Sequence, residues 1–323
     1  MLKTRITELL KIEHPIIGGT MMHLSRAELV GAISAAGALG IMASANYLDK
    51  ESFRSDVRKV REITGKPFGV NLNMFPSIRK IDNNEYIDVI IDEGVPVVET
   101  SGHKAPEEYI RRLKNAGVTL IHKCVGVRYA KKAESLGVDA VTVVGYENGG
   151  ATGTLDITTL CLTPRVVDEV TVPVIAGGGV CDGRGMAALL ALGAEGVIMG
   201  TRFLASEECP MNRAVKEALV KSGELDTMLA LRSIGNTHRV WINETARKVV
   251  EMEKNGATLE ELIPLIAGEK AKELYERGAL DIGLMSCGQG VGLVTDIKPA
   301  AAIVRDIVRE AEAAIGRLRA LAS

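Results

Sequence analysis

Aromatic side chains are scarce, at 3% of the 323 residues with a single tryptophan. Their lack argues against an aromatic-rich β-sandwich. The hydrophobic 46% is instead Ala, Val, Ile and Leu, which suits buried parallel strands covered by Ala-rich helices. Net charge is also low, at −2, so no whole-chain basic field favours nucleic acid or an anionic membrane. The five cysteines (Cys124, Cys161, Cys181, Cys209, Cys287) are odd in number, dispersed and without a Cys-x-x-Cys pair. Neither a disulfide framework nor a structural zinc site is expected from them, and a reducing compartment is. No stretch approaches the ~20 apolar residues that span a bilayer. The opening MLKTRITELLKIEHP has neither the apolar core nor the cleavage site of a signal peptide. No histidine pair has metal-ligand spacing, so no metal is expected. These absences together describe a soluble, cytoplasmic protein whose partner is a small molecule.

What the chain does contain is glycine, 34 residues without a low-complexity tract, which implies many tight turns or close backbone approaches to a ligand. It also contains a repeating unit of apolar run, turn and amphipathic segment. The apolar runs are 15–19, 39–44, 68–74, 95–102, 119–124, 140–146, 172–179 and 196–204. Helical candidates such as SRAELVGAISAAG and APEEYIRRLKNAG lie between them, and Gly37, Gly65, Gly117, Gly137 and Gly193 stand where left-handed caps would end helices. Continuous apolar strands alternating with helices imply parallel βαβ units. Eight of them closing on themselves predict a (β/α)8 TIM barrel. An open doubly wound sheet is the competing architecture, but the turn after Pro15 reads GGTMMH rather than G-x-G-x-x-G.

A barrel needs roughly 250 residues, which leaves about 70 over. The regularity breaks after residue 204, where helical segments such as NETARKVVEMEKNG follow without a convincing strand. The expected organisation is a barrel core over 1–206 and an added helical subdomain over 207–282, lying across the barrel mouth. Residues 283–323 then form a Gly-rich loop and a C-terminal helix returning to the barrel. Apolar surface on the added helices makes a homodimer a candidate assembly.

Active sites of such barrels lie at the C-terminal ends of the strands. AGGGV after the seventh run and MGTRF after the eighth are therefore candidates for a phosphate site, since glycines expose backbone N–H groups there. The plainer alternative is that these glycines only permit tight turns. Lys123 ends its strand and can aim a cation into the mouth, the alternative being a lysine that snorkels to solvent. His23, His103 and His122 lie near strand ends, although a single histidine is more often a satisfied structural donor than a catalyst.

The ordered motifs PIIGGTMM, AISAAGALGIMASANY, PFGVNLNMF, HKCVGVRYAKKAESLGVDAV, PVIAGGGVCDGRGMAALLALGAEGVIMGTRFLASEECP, NTHRV and CGQGVGL run over nearly the whole chain. In them the sequence resembles the nitronate monooxygenase (2-nitropropane dioxygenase) family and its relatives, the FMN-dependent enoyl-ACP reductases. The resemblance implies an FMN-dependent oxidoreductase with cofactor contacts at Met21, Asn71, Lys123, Gly149, Gly178, Gly179, Gly200 and Thr201. It places the loop containing Gly288 and Gln289 near the flavin ring.

One position departs from the pattern. After the sixth strand the family carries Glu-x-Gly-Gly-His or Glu-x-Ala-Gly-His, whereas this chain reads Glu147-Asn148-Gly149-Gly150-Ala151. Ala151 stands at the histidine position and cannot move a proton. His103 is the first candidate to replace it as a catalytic group, with Tyr146, Thr152 and Asn148 behind it. The resemblance then implies oxidation of a nitronate with dioxygen as acceptor. The alternative is an NAD(P)H-dependent flavin reductase of an activated C=C bond or quinone, with NADH or NADPH as electron donor. A barrel that keeps FMN without turnover, and a flavin-free phosphate-binding barrel, are the remaining alternatives.

Overall fold

The computed structural model describes residues 2–74, 82–102 and 106–322. Six consecutive parallel strands begin the sheet: β1 (Ile16–Gly18), β2 (Leu39–Ala43), β3 (Gly69–Asn73), β4 (Val97–Ser101), β5 (Thr119–Cys124) and β6 (Ala140–Val144). A two-residue strand, β7 (Gly150–Ala151), lies outside it, and β8 (Val174–Gly177) and β9 (Gly196–Met199) complete it. The sheet closes because β1 pairs on both sides, Ile17 with Leu39 of β2 and with Ile198 of β9. Each of the eight apolar runs thus supplies one barrel strand, and the fold is the expected TIM barrel.

Strand periodicity sorts the side chains into two layers. Val97, Ile121, Ile175 and Ile198 point inward, where Ile6 and Leu10 of the preceding helix Arg5–Leu10 pack against them. Val98, Leu120 and Val141 point outward into the larger cluster beneath the surrounding helices. Those helices follow local rules. In Lys50–Ile63 the Asp49 carboxylate caps the amides of Glu51 and Ser52, and Phe53, Val57 and Val60 form the buried stripe. Four of the expected glycine caps, Gly37, Gly117, Gly137 and Gly193, have positive φ. Gly65 does not. Its helix stops at Ile63 because β-branched Thr64 takes an extended backbone (φ −150°, ψ 143°) while its N–H still reaches Val60.

The segment after the barrel corrects the expectation of purely helical material. It contains β10 (Thr227–Ala230) and β11 (His238–Trp241), paired antiparallel, and β11 pairs on with β7. This three-stranded sheet ties the loop after β6 to the added segment. Helices Glu244–Lys254 and Leu259–Ile266 cover it, burying Ala230, Val240, Ala246, Val249 and Leu262 in a small core of their own.

The last helix, Ala300–Ala322, returns to pack on helix Gly183–Ala191. The approach is close, for a Cβ on Gly183 would lie 2.3 Å from the Ala311 nitrogen and the Ile307 oxygen. The Glu310 carboxylate also accepts the Gly183 N–H at 3.0 Å. Gly183→Val is therefore expected to force the helices apart and to destabilise the protein by about 1–3 kcal/mol. Urea unfolding measures this directly, and an unchanged midpoint would rule out the close contact.

Candidate functional site

The C-terminal ends of β3, β4 and β5 carry a polar layer inside the barrel. Asn71 is in register with Glu99, and Ser101 with Lys123, which in turn pairs with Thr142 of β6. Since Val97, Glu99 and Ser101 alternate along one strand, Glu99 points inward above Val97. It is 0% exposed, in a position where an unpaired charge would cost several kcal/mol. One of its oxygens, Oε2, accepts from three neighbours: Asn71 Nδ2 at 2.8 Å, Lys123 Nζ at 3.1 Å and Thr20 Oγ1 at 3.2 Å. Among the described residues its Oε1 has no hydrogen-bond partner, and neither has the buried Thr142 hydroxyl. The Asn71 amide also donates to Ser101 Oγ at 3.2 Å. Lys123 is thus not a lysine trailing into solvent, because its ammonium is held in the mouth by a buried carboxylate.

The glycine motifs gather on the β6, β8 and β9 side. Gly178 and Gly179 take φ of +104° and +73°, conformations that side chains oppose. Glu147 packs over Gly179 and accepts both the N–H and the hydroxyl of Thr159 at 2.8 Å. The loop around Gly288 spans the gap: Gly288 donates to Thr201 Oγ1 at 2.9 Å and the Gln289 N–H to the Glu147 carbonyl at 3.0 Å. A Cβ on Gly149 would lie 2.7 Å from the Gly288 nitrogen, so the two backbones touch. Gly149, Gly178, Gly179, Thr201 and Gln289 are therefore brought together, while Gly200 faces Met21 near the first strand. Asn71 and Lys123 belong to the polar layer on the other strands.

The candidates for proton transfer fare differently. His103 lies outside the described residues. Tyr146 is half-buried, with the Arg239 guanidinium 4.5 Å from its ring centroid. The Thr152 hydroxyl is turned to the Gly153 carbonyl at 3.3 Å, and Asn148 donates to the carbonyls of Gly149 and Ala151. Opposite Ala151 the β11 strand places His238, whose Nδ1 lies 2.8 Å from the Asn236 carbonyl. Burial lowers the His238 pKa.

Two residues of this region escape a reading of strand ends alone. Glu99 is one, and a lone carboxylate inside the apolar run VPVVETSG was its signal. Arg239 is the other. It is buried, donates from Nε to the Tyr146 carbonyl at 3.1 Å and from Nη1 to Thr227 at 3.2 Å. Its Nη2 has no partner among the described residues. Nothing local in NTHRV reveals that β11 carries this arginine to the loop after β6.

The nitronate monooxygenase family model matches residues 3–84 and 72–310, the span that builds the barrel, the glycine loops and the added sheet. The chain belongs to the nitronate monooxygenase family. It is an oxidoreductase. The chain is 32% identical over 290 residues to a probable nitronate monooxygenase of Staphylococcus saprophyticus, covering 77% of this chain and 81% of that one. It is 42% identical over 240 residues to (3aS,4S,5R,7aS)-5-hydroxy-7a-methyl-1-oxo-octahydro-1H-indene-4-carboxyl-CoA dehydrogenase of Rhodococcus jostii. That match covers 74% of this chain and 65% of the dehydrogenase, so just under two thirds of the relative's length is spanned. Among solved structures, FabK from Thermotoga maritima superposes with a TM-score of 0.92 at 37% identity, over 99% of this chain and 100% of FabK.

His122 is next to Lys123 in sequence but not in role. It points outward with Thr100, whose hydroxyl lies 2.9 Å from its Nδ1, and burial pushes its pKa from 6.5 down to about 4. The unfolded chain therefore takes up a proton that the native state refuses. The stability contributed by the neutral ring is complete above about pH 6.5 and is lost as pH falls toward 4. His122→Gln is expected to flatten this decline. Urea unfolding at about pH 7 and about pH 5 checks it, and equal slopes in both proteins would refute the assignment.

Proposed function

We propose that this family member is an FMN-dependent oxidoreductase whose electron donor is a small nitronate and whose acceptor is dioxygen. The observation that carries this reading is the buried Arg239 guanidinium beside the loop after β6, a loop with no acid–base group at the family's histidine position. Arg239 Nη2 has no partner among the described residues, and Ala151 offers nothing that moves a proton. A nitronate is already anionic, so electrostatic attraction binds it and no base is needed to generate it.

The residues present fit FMN. Positive-φ Gly178 and Gly179 and the close Gly149–Gly288 approach form turns packed too tightly for a Cβ, which leaves backbone rather than side chains on this side of the mouth. Arg239 adds a buried N–H with no partner among the described residues. FMN, when bound, supplies the two-electron redox centre. Gly178, Gly179, Gly200 and Thr201 are assigned to its phosphate, where backbone N–H groups complement negative charge. Met21, Asn71, Lys123, Gly149 and Gln289 are assigned to its ring and chain. In this assignment Asn71 is rigid, both its contacts to Glu99 and Ser101 being made within the barrel. The added sheet and helices, in the proposed division at 207 and 283, exclude water from the mouth.

A second reading is favoured by the Rhodococcus jostii dehydrogenase and by FabK. It is redox chemistry at an activated C=C bond, with NADH or NADPH as donor. Such a reaction must place a proton on carbon, and His103, Tyr146 and Thr152 are the groups assigned to that role. An anaerobic absorption titration of the FMN-loaded protein separates the two. Bleaching by a nitronate alone is the expected result. Bleaching by a nicotinamide nucleotide and not by nitronate would overturn the nitronate reading and establish the second.

A further inference from the structure

We propose that Glu99 is a positioning residue that sets the redox potential of the flavin through Lys123. The inference rests on the FMN reading above and concerns a residue that touches no assigned cofactor atom. Glu99 is fully buried inside the barrel, one layer below the strand ends. Its Oε2 is the common acceptor for Lys123, Asn71 and Thr20, which arrive from β5, from β3 and from the loop after β1. Two of these three, Lys123 and Asn71, are assigned flavin contacts. No other carboxylate of the described residues is paired with Lys123.

This arrangement has two consequences with opposite signs. Geometrically, Glu99 holds the ammonium in the mouth, where Lys123 would otherwise have its many rotamers to choose from. Electrostatically, Glu99 neutralises that ammonium, so the ring faces a nearly compensated pair in a low-dielectric interior rather than a full positive charge. Among the described residues Oε1 has no partner, so the donors that orient the carboxylate all lie on its Oε2 side. Reduction adds negative charge to the flavin, and an uncompensated Lys123 would favour the reduced state. The pair therefore keeps the potential lower than Lys123 alone would set it, while preserving the geometry that binds the ring.

The test is the two-electron midpoint potential of the FMN-loaded protein, together with its FMN dissociation constant. Glu99→Gln retains a carbonyl acceptor for Asn71 and Lys123 and removes the charge. It is expected to favour the reduced over the oxidised flavin by about tenfold, an upward shift of about 30 mV for a two-electron couple. Glu99→Asp keeps the charge one methylene farther back and is expected to fall between the wild type and Glu99→Gln. It also carries the test if the glutamine variant does not fold. In a Lys123→Met background the buried carboxylate has lost the cation that sustains its charge, so Glu99→Gln is expected to leave the potential unchanged.

An unchanged or lowered potential in Glu99→Gln would overturn the inference while leaving FMN binding intact. An equal shift with and without Lys123 would overturn it as well, since Glu99 would then act on the ring directly. If the wild-type protein takes up no FMN, the cofactor reading itself falls, and this inference with it.

Discussion

The site is organised around a carboxylate that water cannot reach. Glu99 lies inside a barrel whose lower half is closed by aliphatic side chains from the strands and from the helix Arg5–Leu10. A charge in such a place persists only if it is paired and hydrogen-bonded. The chain meets that demand by drawing donors from three neighbouring parts of the barrel onto one oxygen. Lys123 and Asn71 therefore have fixed positions before any ligand arrives. A lysine at a strand end is ordinarily mobile, and here the requirement to satisfy Glu99 removes that freedom.

The opposite side of the mouth is built from backbone rather than charge. The glycines after β6, β8 and β9, and the Gly288 loop that bridges them, bring main-chain groups to distances that a methyl group would prevent. The added sheet stabilises this side, because β11 pairs with β7 and carries Arg239 to the Tyr146 carbonyl. An anchored ion pair on one side and close-packed glycine backbone on the other are the two surfaces that the proposed planar ring with its phosphate tail would meet. The fold and the ligand proposal thus depend on the same features.

The barrel was legible because its strands are buried on both faces and so appear as uninterrupted apolar runs, each of which became one strand. The added sheet was not, because β10 and β11 are only four residues each and their apolar positions do not outlast one alternation. Gly65 shows a local rule losing to a neighbour, since Thr64 ended the helix before the glycine was needed. Strand-end position pointed to Lys123 and to the glycines, whose cofactor role is a proposal. It missed Glu99, which lies one layer deeper, and it missed Arg239, whose role depends on a long-range strand pairing that no local pattern encodes. Of the proposed proton-transfer groups, Tyr146 and Thr152 are engaged with neighbours, and His103 lies outside the described residues.

In the proposed site the glycine turns and the Glu99-anchored Lys123 together bind FMN. Equilibrium titration of flavin-free protein with FMN and with riboflavin, which has the same ring and no phosphate, tests it most directly. FMN is expected to bind at least about a hundredfold tighter than riboflavin, roughly 2.7 kcal/mol at two powers of ten. Equal affinity for the two flavins, or none for either, would contradict it.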